Sequence, residues 1–263
     1  MSTADRTVRG LSPADHCAGV ATETTRIVTL VKGAELTTPI PSCPGWTLAD
    51  LIRHVGGAQR WFSALLRERP QVPPPGRDVD LRLPVREEDW ANWLADSAAE
   101  AAGAFAATDP DTPMWAWGAD QHARFWERRM LFETLLHRVD AELSLGIRPR
   151  IYRALAVDGV DEFLVNLPFA TAFTPKLANL RGARETIRLQ PTDVDTDWLI
   201  RLRPDGFGLD PFRDDTAAAN ATVRAGAADL LLLVYGRLPL AAEVFERSGD
   251  EELLTLWFAN SEF

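Results

Sequence analysis

The chain has four histidines, and two of them stand where their spacing could do chemistry. His54 follows Leu51 by three residues and precedes Ala58 by four, so it lies on the apolar stripe of a helix and points into whatever that helix packs against. Glu133 and His137 are one helical turn apart and project side by side. Such a pair, with an inward His from a facing helix, supplies three ligands to a divalent ion and leaves a fourth position open, as a catalytic zinc requires. Imidazole and carboxylate also suit iron or nickel. Taken alone, the spacing more often marks a solvated intrahelical pair and a hydrogen-bonded core histidine. His16 and His122 have no such neighbours. Asp140, three residues beyond His137, reads either as a group that orients that ligand or as part of a charged face, HRVDAE. The two cysteines, Cys17 and Cys43, form no CxxC pair and read as unpaired thiols in a reducing compartment.

These residues need helices to carry them. Ser12-Pro13-Ala14-Asp15 opens a first helix that Gly33 can close, with Cys17, Val20, Thr24, Ile27 and Val31 on one stripe. Thr47 and Asp50 repeat the capping signature and begin a second helix with Leu51, Trp61, Phe62 and Leu65, which Pro70 stops. Residues 70–85, with the run Pro73-Pro74-Pro75-Gly76, read as a stiff exposed connection. A third helix is expected from about 86 to 107 and a fourth from about 120 to 145, ending at Gly146. Four amphipathic helices make residues 1–150 a bundle.

A helical linker is expected over 151–180, after which the period changes. Thr186–Leu189 and Trp198–Leu202 alternate as strands, and Pro204-Asp205-Gly206 forms a turn. Residues 221–224 read as another strand, Ala227–Tyr235 as a buried helix and 238–263 as a helical tail, so 181–263 forms a smaller α+β domain. The fold class is therefore α+β in two domains.

Composition narrows the function. The chain has 263 residues, 46% hydrophobic and 25% charged, in the range of folded globular domains. Its formal net charge of −10 and pI near 4.9 remove the diffuse attraction that binding to nucleic acid or an anionic membrane uses. The N-terminal MSTADRTVRG lacks an apolar leader core, and no uncharged apolar run approaches the ~18–20 residues of a membrane span, so a cytoplasmic location is expected. The nine tryptophans read as core and loop packing.

Three segments resemble the mycothiol-dependent maleylpyruvate isomerase family: PSCPGWTLADLIRHVGG at 41–57, RMLFETLLHRVDAE at 129–142 and GAADLLLLVYGR at 226–237, with DGVDE at 158–162 a weaker match. The resemblance implies an N-terminal four-helix bundle of the DinB kind and a smaller C-terminal α+β domain. Carried over position by position, it makes His54, Glu133 and His137 the metal ligands. It departs at Phe132, where many relatives carry a His, so the surroundings of the metal or the substrate pocket differ there. The implied activity uses zinc or another divalent metal and the small thiol mycothiol, whose thiolate attacks an electrophilic small molecule. Addition to a double bond, rotation and elimination give a maleylpyruvate-type isomerase; displacement of a leaving group gives an S-transferase. The alternative is a non-catalytic metal-binding or regulatory module. The reactive sulfur then belongs to the cofactor rather than to Cys17 or Cys43. An acidic substrate needs a positive partner, and Arg237 and Arg224, flanking the buried helix of the second domain, are the candidate catalytic residues for that role.

Overall fold

Ser12 and Thr47 cap α1 (Pro13–Val31) and α2 (Leu48–Glu68) as capping boxes. Each hydroxyl accepts the backbone N–H three residues on, at 3.2 Å from Asp15 and 3.3 Å from Asp50, while that Asp accepts the cap residue's own N–H. Caps of this kind contribute about 1 kcal/mol each. α2 ends at Arg69, which takes a left-handed conformation ahead of Pro70. After the proline-rich connection a 3-10 turn, Glu87–Asp89, leads into α3 (Trp90–Ala106), and α4 (Ala123–Ser144) follows. The structure is a computed structural model that describes residues 10–76, 79–210 and 218–261. The leader reading at 1–9, two residues of the proline-rich connection and the last two of the expected helical tail lie outside the described residues.

The four helices form one compact unit, Leu11–Pro149. α1 and α2 each pack on both α3 and α4, around a core that includes Ile27, Leu48, Leu51, Ile52, Val55 and Leu94. At Gly56 a Cβ would stand 2.3 Å from the Trp93 ring, so only glycine lets α2 approach α3 this closely. α4 is buried on nearly every face, charged residues included. Arg138, with no exposed surface, donates to Glu23 of α1 at 2.6 Å and to Glu142 at 2.5 Å, and Arg26 reaches Glu142 at 3.0 Å. This network ties α4 to α1 one residue beyond His137. Removing one partner would strand a buried charge, at a cost of about 3–5 kcal/mol.

The second unit is Arg150–Phe263 together with Gly10. Residues 151–180, expected as a linker, contain α5 (Arg153–Asn166) and the 3-10 turns Leu167–Ala172 and Pro175–Asn179, and they belong to this unit, with α5 packed on α6 (Ala227–Val234). The sheet has the order β3-β2-β1-β4-β5. β1 (Thr186–Pro191) pairs parallel with β4 (Ala221–Ala225), and the remaining pairings, with β2 (Trp198–Arg203), β3 (Gly206–Leu209) and β5 (Glu246–Gly249), are antiparallel. Ile187 and Leu189 of β1 and Val223 of β4 are fully buried, and α6 packs on both strands. The expected helical tail is part strand: β5 precedes α7 (Glu251–Asn260), and all four of its residues are exposed. An edge strand with no buried face carries no alternation to read.

Candidate metal centre

α2 and α4 bring His54, Glu133 and His137 together. His54 Nε2 lies 2.7 Å from Glu133 Oε1, and His137 Nε2 lies 3.5 Å from the same oxygen. All three ligand atoms fall within 4.8 Å of one another. The side chains differ in exposure: 11% for His137, 25% for Glu133 and 30% for His54. His137 is therefore the buried anchor, and the trio opens to solvent on the other two, where a fourth ligand can enter.

The surrounding groups orient the trio. Asp140, one turn beyond His137 and fully buried, accepts a hydrogen bond from His137 Nδ1 at 2.8 Å. An ionised carboxylate can only accept, so Nδ1 carries a proton, and Nε2, which faces Glu133 and His54, is the ring nitrogen a metal ion would take in place of a proton. Arg129 approaches the other oxygen of Glu133 at 3.4 Å. The Trp46 ring stacks on His137, with centroids 5.8 Å apart and planes 21° apart, and leans on His54 at 4.9 Å. Burial pushes the Glu133 carboxyl upward, but hydrogen bonds from His137 and His54 and the Arg129 charge outweigh it and hold it well below the usual carboxylate range. Burial pushes His137 downward, and its hydrogen bonds to Asp140, Cys43 and Glu133 outweigh that, leaving it well above its ordinary value.

Trp46 is placed by the loop that precedes α2. The Cys43 N–H bonds to the Ile40 carbonyl at 3.2 Å and the Trp46 N–H to the Cys43 carbonyl at 3.0 Å, giving two consecutive turns. The second has Pro44 and Gly45 at its centre, and Gly45 has φ +86°, which suits a type II turn with glycine at its third position. The bonds Ile40 N–H to Trp46 O and Leu48 N–H to Thr38 O close the base of the loop.

The donor set fits a divalent ion. A tetrahedral ion with bonds of ~2.0–2.1 Å sets its ligand atoms ~3.3 Å apart. The 3.5 Å separation already matches this, and the 2.7 Å contact needs to open by about 0.6 Å, within the reach of a partly exposed His54. Cys43, His137 and Asp140 form a second close group that shares His137. His16 and His122 do not join the trio: His16 is buried in α1, and His122, at the start of α4, pairs through Nδ1 with Asp120 at 2.6 Å. Arg224 and Arg237 belong to the C-terminal unit. Arg224, on β4, makes an exposed pair with Glu246 of β5 at 3.1 Å, and Arg237, just after α6, donates to the Tyr235 carbonyl at 2.7 Å. From the sequence Trp46 reads as part of a turn and Ser42 and Arg129 carry no role of their own; the signal that points to them is that all three fall within the family-resembling segments 41–57 and 129–142.

Comparison with known proteins covers both units. The family model for the mycothiol maleylpyruvate isomerase N-terminal domain matches residues 17–142, and the model for the C-terminal domain of the same family matches 154–256. Two crystal structures of the mycothiol-dependent maleylpyruvate isomerase, one of them of a point mutant, superpose with TM-scores of 0.61 and 0.62 at 16% and 14% identity, each covering 92% of this chain and 95% of the other. No curated protein sequence matches. With matched domains spanning both units, the chain belongs to the mycothiol-dependent maleylpyruvate isomerase family.

Proposed function

We propose that this protein is a divalent-metal enzyme that uses mycothiol to isomerise a maleylpyruvate-type substrate. The convergence of His54, Glu133 and His137, in a member of this family, carries the reading. A divalent ion held by these three side chains would lower the pKa of an incoming thiol from near 8.5 and keep it as the nucleophilic thiolate. His137 offers Nε2 because its Nδ1–H is engaged by Asp140. Arg129 draws one Glu133 oxygen aside, leaving the other toward the histidines. Trp46 covers the two imidazoles with an apolar ring and limits water on that side. Arg237 and Arg224 are the proposed partners of the substrate carboxylates, since guanidinium matches a carboxylate with two parallel hydrogen bonds.

The test is incubation of the zinc-loaded protein with mycothiol and maleylpyruvate, followed by mass spectrometry and absorbance. Isomerisation gives a product of unchanged mass that forms only with both metal and thiol. A product heavier by the thiol identifies S-transfer instead. No conversion by metal-loaded, folded protein would overturn the enzymatic reading.

A further inference from the structure

Asp140 is held by more than His137. The Ser42 hydroxyl donates to Asp140 Oδ1 at 2.5 Å, across 98 residues of sequence, and the Cys43 thiol lies 3.6 Å from Oδ2, the oxygen that accepts the His137 proton. Asp140 has no exposed surface, so water does not satisfy its oxygens and each depends on protein donors. The two donors differ in strength. A hydroxyl giving a short bond to an ionised carboxylate makes a charge-assisted bond about twice as strong as a neutral one, whereas a thiol is a weak donor. Both come from the loop fixed by the Ile40–Cys43 and Cys43–Trp46 turns, and the Pro44-Gly45 corner leaves that loop little freedom to follow a rotating carboxylate.

We propose that Ser42 is a positioning residue for the metal centre: by occupying Asp140 Oδ1 it fixes the carboxylate plane, directs Oδ2 onto His137 Nδ1, and so aims His137 Nε2 at the position shared with His54 and Glu133. The inference rests on the metal-binding reading above. Loss of the Ser42 hydroxyl removes a short charge-assisted bond from Oδ1 and weakens the hold on the carboxylate plane, which loosens the imidazole. Cys43, the weaker donor, matters less.

The experiment measures the zinc dissociation constant by competition with a chromophoric chelator, for the full chain and its variants, with circular dichroism as the fold control. Ser42→Ala is expected to weaken zinc about tenfold, the lower end of the range for groups that orient a ligand from behind. Ser42→Thr, which keeps the hydroxyl, is expected to restore affinity to within about threefold of the parent. Cys43→Ala is expected to lose less than Ser42→Ala. In an Asp140→Asn background, Ser42→Ala is expected to add almost nothing, because Ser42 acts through Asp140. Should Ser42→Ala misfold, Ser42→Cys keeps the side-chain volume with a poorer donor and is expected to weaken zinc in the same direction. Parent-like affinity in Ser42→Ala, or the same loss with and without Asp140, would overturn the positioning role while leaving the metal centre standing. Failure of the unmodified protein to bind zinc would overturn the metal reading itself.

Discussion

Each side chain of the trio has a distinct task, and single substitutions separate them. His54 is the proposed ligand from α2 and has the most exposed side chain of the three. His54→Ala is expected to weaken zinc by roughly two orders of magnitude or more, since only two protein ligands remain. His122→Ala, which alters a pair with Asp120 away from the trio, is expected to leave affinity unchanged. Chelator competition on both variants checks this; equal losses would place the ion elsewhere. Cys17 sits in a different chemical state from a catalytic thiol. Burial first, and the negative charge of Glu127 second, push its thiol up to about 12. At neutral pH it is almost wholly protonated, so Cys17→Ala is expected to keep thiol-dependent turnover, and Cys17 is expected to resist iodoacetamide in the folded protein at pH 8. Rapid alkylation there, read by mass spectrometry, would contradict this assignment. The three clustered residues were singled out in the sequence because two share one helix face and the third lies on an apolar stripe, but reading them as ligands needed the family resemblance, since that spacing alone more often marks a solvated pair and a core histidine. The Ser42 to Asp140 bond was not legible there, because only the tertiary packing of loop against α4 brings those residues together.

At the scale of elements, legibility followed burial contrast. α1 and α2 announce themselves through capping boxes and one apolar face each, and both boxes form as expected. β5 carries Glu246, Arg247, Ser248 and Gly249, all exposed, and is a strand because β4 offers it an edge rather than because of its own pattern. α4 shows the opposite difficulty. It is buried on so many sides that polar residues face inward with apolar ones, and the charges it buries need partners supplied by other helices. Glu127 is the costly case: it is 1% exposed, and its Oε2 has no hydrogen-bond partner among the described residues. Burial, with a further push from Asp109, raises its carboxyl to about 7 from the usual 4.5. The unfolded chain gives up this proton near 4.5 while the folded chain keeps it until about 7, so folding stability falls as pH rises through that window. The penalty reaches about 3 kcal/mol above pH 7. Glu127→Gln is expected to remove it, so that the variant gains on the parent between pH 5 and pH 8 in urea unfolding. A difference in stability that is the same at both pH values would show that Glu127 does not titrate in this range.

For the molecule as a whole, the division between units falls at Pro149 and Arg150, ahead of α5, whereas the sequence changes from helical to alternating period only at Thr186. That change is legible because a bundle and a sheet bury their faces at different spacings. All three candidate ligands lie in the helical unit, whereas the candidate carboxylate partners lie in the other. Net charge gives the second unit its proposed task. A chain of net charge −10 repels an anionic substrate at long range, and salt weakens that repulsion as the screening length falls to ~8 Å near 0.15 M. Local arginines must offset it at short range. Arg237 is the first choice because it lies three residues past the end of α6 and donates to the Tyr235 carbonyl, which steadies its guanidinium. Arg224 is second, being exposed and paired with Glu246. Arg237→Lys keeps the charge but loses the fork, and is expected to retain fold and zinc affinity while kcat/KM for a carboxylate substrate drops about tenfold or more, as loss of one charged hydrogen bond of roughly 1.5–3 kcal/mol implies. Arg224→Lys is expected to lose less. Steady-state kinetics on both variants, at low and at moderate salt, decide the matter. Unchanged kcat/KM in both would assign substrate recognition to the helical unit alone, and a loss confined to Arg224→Lys would move the carboxylate partner from the end of α6 to the sheet.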